Sequence, residues 1–242
     1  MTSYTIEMKQ CPKCNCVFSA SQLNSCNTIN AIYYSDGAIY GPMFSENNLL
    51  ITCPNCNVHF WREDVPTSKS ICESDFIRDN ELQLLPTQNL LGMQNFISLL
   101  HEGFWETKAQ EKYIRIRAWW SYNDIYRGNA YNELFQIPNI DFMSGMQRKD
   151  MTEDDFKLSF EGKDNLLKLL PLLDTSNLKE IITKSEVFRE LGQFDECIKL
   201  LDQPFNDRYL PIVNTIKNLA IGKKQMVGQI LEKTSNETRI FV

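Results

Sequence analysis

The spacing of apolar and polar positions changes once along the chain, from short strand-like runs before Pro66 to helical recurrence beyond Thr67-Ser68. In the first part, β-branched and aromatic residues surround Asp36-Gly37, a pair that supplies the positive φ angles a tight hairpin needs. Strands are predicted over Thr28 to Tyr34 and Ala38 to Tyr40. A third strand, Leu49 to Thr52, runs straight into Cys53, with Pro42 and Ser45 to Asn48 marking the turn before it.

In the second part Leu90, Leu91, Phe96, Ile97, Leu99 and Leu100 recur at helical spacing, which predicts a helix from Thr87 or Gln88 to Gly103. Thr107 opens the next, running through Tyr113, Ile116, Trp119, Trp120 and Tyr126 to Gly128. From Ala130 to Arg148, Pro138, Gly145 and several polar residues predict a loop or short helical turns. Thr152-Glu153-Asp154-Asp155 reads as a helix start, with acids at the positive end of the dipole. Further helices are predicted over Asp164 to Leu173, Ser176 to Leu191, Phe194 to Leu201 and Tyr209 to Ala220, with a short terminal one over Gln225 to Leu231. The expected fold class is α+β: a small β domain over residues 1–66, then a larger all-α helical-hairpin domain over 67–242, repeat-like near 176–222.

Composition narrows the class without naming a role. At 242 residues the chain can form one large or two modest domains, each with a real core. Hydrophobic residues at 43% and charged ones at 23% exclude long disorder. A net charge of -6 means that the surface as a whole does not attract polyanions, so a nucleic-acid partner would need a local basic patch. The N-terminal MTSYTIEMKQ lacks the features of a secretory signal, and no apolar run approaches the roughly 18 to 20 residues that span a bilayer. The expectation is a soluble, cytoplasmic protein with no membrane partner.

Cysteine usage changes the picture. Seven of the eight cysteines lie in the first 72 residues, and with no secretory signal they point to metal ligation or free thiols rather than disulfides. Within that stretch one phrase occurs twice: CPKCNCVF from Cys11 to Phe18 and CPNCNVHF from Cys53 to Phe60, identical at five of eight positions. Zinc takes thiolate sulfur in tetrahedral geometry, and each Cys-x-x-Cys turn brings two thiolates to one ion. Cys11, Cys14, Cys53 and Cys56 together complete a four-thiolate shell with no position left for water or substrate, which favours a structural role. Pro12 and Pro54 preset φ in the turns. Asn15 and Asn57 stand where a knuckle needs a left-handed backbone, which Asn tolerates. Phe18 and Phe60 are expected to pack beside the site.

The order of knuckle, hairpin, strand and second knuckle resembles the zinc-ribbon family over roughly residues 9–64, although the 38 residues between the knuckles exceed the commonest ribbon spacing. That resemblance implies that the four cysteines are the ligands of one structural Zn2+. Iron fits the same tetrahedral sulfur site, as in rubredoxin-like proteins, and is the alternative. Cys16, Cys26, His59 and Cys72 are spare candidates. Cys16 is replaced by Val58 in the second copy and His59 by Val17 in the first, so comparison of the copies argues against both as required ligands.

Ser185 to Ile198 reads as helix, Gly turn, helix, and resembles the join inside a tetratricopeptide repeat, with Ser185, Phe188, Gly192, Phe194 and Cys197 at the small, aromatic and turn places. The match covers about one unit, residues 178–204, while stable arrays generally need three. An ordinary helical hairpin fits equally, and either form suits a protein partner. Lys112 to Tyr122, KYIRIRAWWSY, invites a nucleic-acid reading through stacking aromatics and phosphate-binding arginines. At helical spacing its aromatics fall on more than one face, as in a helix packed between neighbours, and Glu102, Glu106, Glu111 and Asp124 dilute the positive field.

Catalytic phrases are missing. The two histidines, His59 and His101, sit beside no nucleophile and base, and no Gly-x-Ser-x-Gly elbow, phosphate loop or dinucleotide fingerprint appears. Three functions follow. The first is a zinc-binding adaptor or regulatory module whose helical domain binds a protein. The second is a nucleic-acid-binding ribbon, disfavoured because residues 1–70 carry Lys9, Lys13, Arg62 and Lys69 against Glu7, Asp36, Glu46, Glu63 and Asp64, 4 minus 5, a net of -1. The third is an enzyme with a site in the helical domain, around Arg115, Arg117, Trp120 and Asp124.

Overall fold

The computed structural model describes residues 2–41, 48–79, 81–89, 91, 93–127 and 151–230. The predicted loop over Ala130 to Arg148 lies outside them. The fold is α+β, with short antiparallel strands and a cysteine cluster in the N-terminal part and helices after it. The chain divides into two compact units, Met1–Ile29 with Met43–Gly92, and Asn30–Pro42 with Met93–Val242.

In the first unit, β1 (Ser3–Gln10) pairs with β2 (Val17–Ser25) on one side and with β7 (Thr67–Cys72) on the other, giving a three-stranded antiparallel sheet of order β2-β1-β7. β1 forms because Ile6 and Met8 alternate with Glu7 and both turn into the protein, the period of two that a half-buried strand requires. A second hairpin joins β5 (Leu50–Thr52) to β6 (His59–Trp61), with Leu50 opposite Trp61 and Thr52 opposite His59. Phe18, Ala20, Ile51, Phe60 and Val65 form the core between these hairpins, together with Cys11 and Cys53. Lys9 is buried beside that core, and its ammonium donates to the carbonyls of Val65 (2.7 Å) and Arg62 (3.2 Å). A buried ammonium with those acceptors is solvated by backbone instead of water. The change to helical spacing expected after Ser68 comes later: Thr67–Cys72 is strand β7, followed by the short helix α1 (Glu73–Arg78).

In the second unit, residues 30–42 carry the hairpin β3 (Ile32–Tyr33) and β4 (Ile39–Tyr40). Gly37 has φ +86° at its turn, as the Asp-Gly signal predicts, and the Asp36 side chain accepts from the Ala38 amide. Residues 1–66 are the expected ribbon, but this hairpin groups with Met93–Val242, bonding Trp120, Asp124 and Arg127 on one side and Gly228 to Ile230 on the other. The α-helices described in this unit are α2 (Met93–Glu102), α3 (Lys108–Asn123), α4 (Phe160–Leu169), α5 (Leu178–Glu190), α6 (Phe194–Leu201) and α7 (Leu210–Ile221). Thr107 starts α3 through a reciprocal capping box with Gln110, satisfying two otherwise orphaned donors. The predicted start at Thr87 or Gln88 is instead extended backbone, and α2 begins at Met93. The expected helix over Gln225 to Leu231 also differs: Gln229 bridges Tyr34, and the Ile230 amide donates to the Tyr33 carbonyl at 2.8 Å. Pairing with the hairpin overrides the local helical preference there; Leu231 lies outside the described residues.

The helical core has two parts. Trp119, Leu166, Leu169, Leu173 and Val187 pack α3, α4 and α5 together, while Ile182, Cys197, Leu201, Tyr209, Ile212, Val213 and Ile216 join α5, α6 and α7. Between α5 and α6, Gly192 adopts φ +76° and the Gln193 amide returns to the Phe188 carbonyl, ending one helix so that the next can fold back. Among the described residues no helix is long and apolar enough to cross a membrane.

Candidate metal centre

Each cysteine knuckle is the turn of one first-unit hairpin. The first, Cys11 to Cys16, joins β1 to β2, and the second, Cys53 to Val58, joins β5 to β6. Their backbones make the same two bonds: Cys11 N–H to Cys16 O with Asn15 N–H to Cys11 O, and Cys53 N–H to Val58 O with Asn57 N–H to Cys53 O, all between 2.9 and 3.0 Å. That closure forces the residue after the second cysteine into the left-handed region, where Asn15 has φ 58° and Asn57 φ 56°. Asn visits this region at less cost than other side-chain-bearing residues, which is why the phrase carries it twice.

The two turns face each other and bring Cys11, Cys14, Cys53 and Cys56 together, with all four sulfurs within 4.8 Å of one another. Cys11 Sγ lies 3.6 Å from Cys56 Sγ, and Cys14 Sγ 3.6 Å from Cys53 Sγ. Four sulfurs about 2.3 Å from one central ion would stand roughly 3.8 Å apart, so the observed spacing fits a tetrahedral thiolate-bound metal. The first cysteine of each knuckle is fully buried and the second half-buried, the same asymmetry in both halves. Phe18 and Phe60 meet beside the cluster with ring centroids 6.1 Å apart. Cys11 and Cys53 belong to the same core as these rings, so the centre is continuous with the hydrophobic packing that holds the hairpins together.

Electrostatics around the sulfurs divide them, favouring the anion at Cys14 and the neutral thiol at Cys53 and Cys56. The Asn55 side chain, followed by the Cys16 amide, stabilises the Cys14 thiolate and lowers its pKa to about 6. The Val58 amide acts in the same sense on Cys56, but burial and hydrogen bonds with Cys14, Cys11 and Cys53 outweigh it and push that thiol up to about 12. Burial raises Cys53 as well. Four thiols at these distances do not all ionise without a cation among them, so metal uptake would release protons.

The spare candidates stand apart. His59 Nδ1 bonds the Thr52 hydroxyl at 2.8 Å, and Cys16 Sγ faces the Val17 carbonyl. Cys26 is half-buried, and Cys72 is exposed between Ser74 and Asp75. Among the described residues the four knuckle cysteines are the one group of Cys, His, Asp and Glu side chains gathered at metal-binding distance.

The residues considered for a site in the helical domain are held by their neighbours. Arg115 is paired to Glu111 and bonded to Asn165, and Arg117 lies over the rings of Phe96 and Trp120. Trp120 donates to the Asp36 carbonyl. Asp124 belongs to a buried polar cluster that sequence reasoning did not anticipate. Arg127 donates to both oxygens of Asp36 (3.1 and 2.6 Å) and to Asp124 (2.6 Å), while Tyr40 also donates to Asp124. Asn123 links Asp36 to Glu190, which accepts from Trp119 Nε1 at 2.7 Å. Arg189, whose guanidinium lies 3.8 Å from the Glu190 carboxylate, pairs with Glu186, both fully buried. Burial pushes the Asp124 carboxyl up although Arg127 opposes it.

Fold and site together define an α+β protein with a ribbon-like four-cysteine centre followed by a helical region. Comparison with protein families, with curated proteins and with solved structures finds no match for the chain.

Proposed function

We propose that Cys11, Cys14, Cys53 and Cys56 bind one zinc ion that staples the two hairpins of the first unit, and that the helical unit is a protein-interaction or regulatory adaptor module. The observation that carries the metal reading is the convergence of four sulfurs from two identical turns. A closed four-thiolate shell leaves no coordination position for substrate, which makes the ion structural, and zinc suits such a shell without redox chemistry. The unit is too small to rely on its apolar core alone, so metal binding contributes to its folding. Eight free cysteines suit a reducing, cytoplasmic setting.

The adaptor role rests on the helical hairpin α5–α6 and on the engagement of the polar residues that a catalytic site would have used. Ser185 and Cys197 are buried where the paired helices approach, and Phe188 and Phe194 pack on the adjoining core, the pattern of one tetratricopeptide-like unit. Phe160 and Ile221 are largely exposed on this unit and are the positions at which the role is tested. Nucleic-acid binding is less well supported, because Arg62 is paired with Glu7 at 2.5 Å and Lys9 is buried, leaving the ribbon few available cations. Quantitative affinity purification from cells tests the role. A partner recovered by the wild type and lost from folded Phe160→Asp or Ile221→Asp protein supports it; an unchanged set of bound proteins in both variants contradicts it.

A further inference from the structure

The segment Pro86–Asn89 crosses both knuckle hairpins within the first unit. On one side the Ser19 amide donates to the Pro86 carbonyl and the Gln88 amide to the Ser19 carbonyl, each at 2.8 Å, forming a parallel bridge with β2. On the other, the Asn89 amide donates to the Thr52 carbonyl at 3.2 Å, an antiparallel bridge with β5. Asn89 then reaches further: its side-chain amide donates to Asn57 Oδ1 at 2.7 Å. Asn57 is the left-handed residue that closes the second knuckle, and Thr52 immediately precedes Cys53. The first knuckle has no matching side-chain bond from this segment; there Gln10 Nε2 meets the backbone carbonyl of Asn15.

We propose that Asn89, and the Pro86–Asn89 strap that carries it, are a positioning part of the metal centre, so that zinc binding and strap ordering support each other. This inference rests on the zinc reading above. An ion held by both knuckles fixes the separation of β2 and β5, which is the span that the strap must bridge. The strap in turn fixes that separation before the ion arrives, and Asn89 restrains the Asn57 side chain in the turn that presents Cys53 and Cys56. Groups outside the ligand shell that orient it act in this way on affinity, and thermodynamic linkage makes the effect reciprocal. The strap is also where the chain leaves the first unit for α2.

The test is a double-mutant cycle on the full chain, with zinc affinity read by competition against a chromophoric chelator. Asn89→Ala removes the donor, and Asn57→Gly removes the acceptor while keeping a backbone suited to the left-handed region. Each single variant is expected to bind zinc roughly three- to tenfold more weakly, the scale of one hydrogen bond, and the double variant no more weakly than either. Hydrogen exchange at the Gln88 and Asn89 amides is expected to be slow in zinc-loaded protein and fast after chelation. Wild-type affinity in Asn89→Ala, multiplying losses in the double variant, or equal exchange with and without zinc would overturn the proposal. A wild type that takes up no zinc would overturn the metal reading itself and this inference with it, and stoichiometry alone identifies that outcome.

Discussion

Asp36, at the tip of the hairpin between the two cysteine phrases, holds both of its carboxylate oxygens against the guanidinium of Arg127, and both side chains are fully buried. Arg127 also lies over the rings of Tyr34 and Tyr40 from the same hairpin. A turn that local pattern marks only as Asp-Gly is thus the anchor of residues 30–42 in the helical unit.

Removing one partner of a buried pair leaves the other charge poorly compensated, and without Asp36 the Arg127 guanidinium keeps only the Asp124 carboxylate. Asp36→Ala is expected to destabilise the protein by about 3–5 kcal/mol, measured by denaturant unfolding. Asp36→Ala with Arg127→Ala is expected to cost less than the sum of the two single changes. Additive losses would mean that the pair is not coupled.

Glu190 makes folding sensitive to pH. Burial first, then the Glu186 and Asp36 charges, raise its carboxyl well above the ordinary value of 4.5, against the opposing effect of Arg189. The folded state therefore holds this proton more tightly than the unfolded state does. Its contribution to stability is full below the ordinary value and is lost as pH rises through the raised one. Glu190→Gln, which carries no titrating proton, is expected to flatten the fall in unfolding midpoint from about pH 5 upward. Midpoints that fall with the same slope in both proteins would assign the pH dependence elsewhere.

The knuckle backbone makes a separate prediction at Asn15. Its φ of 58° suits glycine, so Asn15→Gly is expected to leave zinc affinity and stability close to wild type. Asn15→Val, with a β-branched side chain in the left-handed region, is expected to cost about 1–2 kcal/mol in thermal or denaturant unfolding. Equal behaviour of the two variants would show that the turn does not need this conformation.

The cysteine cluster was legible in the sequence because its information is local and repeated. Two eight-residue phrases encode two turns, and the turns need only be brought face to face. The helical hairpin was legible for a similar reason, since Gly192 and the flanking apolar spacing lie within one stretch, and α6 occupies the predicted residues Phe194–Leu201. Strand β1 offered a weaker signal, Ile6 and Met8 around Glu7, within a mostly polar segment. The strap was hidden because Thr87 and Gln88 precede an apolar run and look like a helix start, while the residues that pair with the strap, Ser19 with Thr87 and Thr52 with Asn89, are remote in sequence. The polar cluster was hidden for the same physical reason. Asp36, Asn123, Arg127 and Glu190 meet only when the hairpin, α3 and α5 come together.

The most direct measurement is metal content by elemental analysis and native mass spectrometry, on the wild type and on Cys53→Ser. The expected result is one zinc ion per wild-type chain, lost when a single ligand of the closed four-thiolate shell is replaced. Metal-free wild type, an ion retained in Cys53→Ser, or a red, redox-active iron protein would contradict the zinc staple.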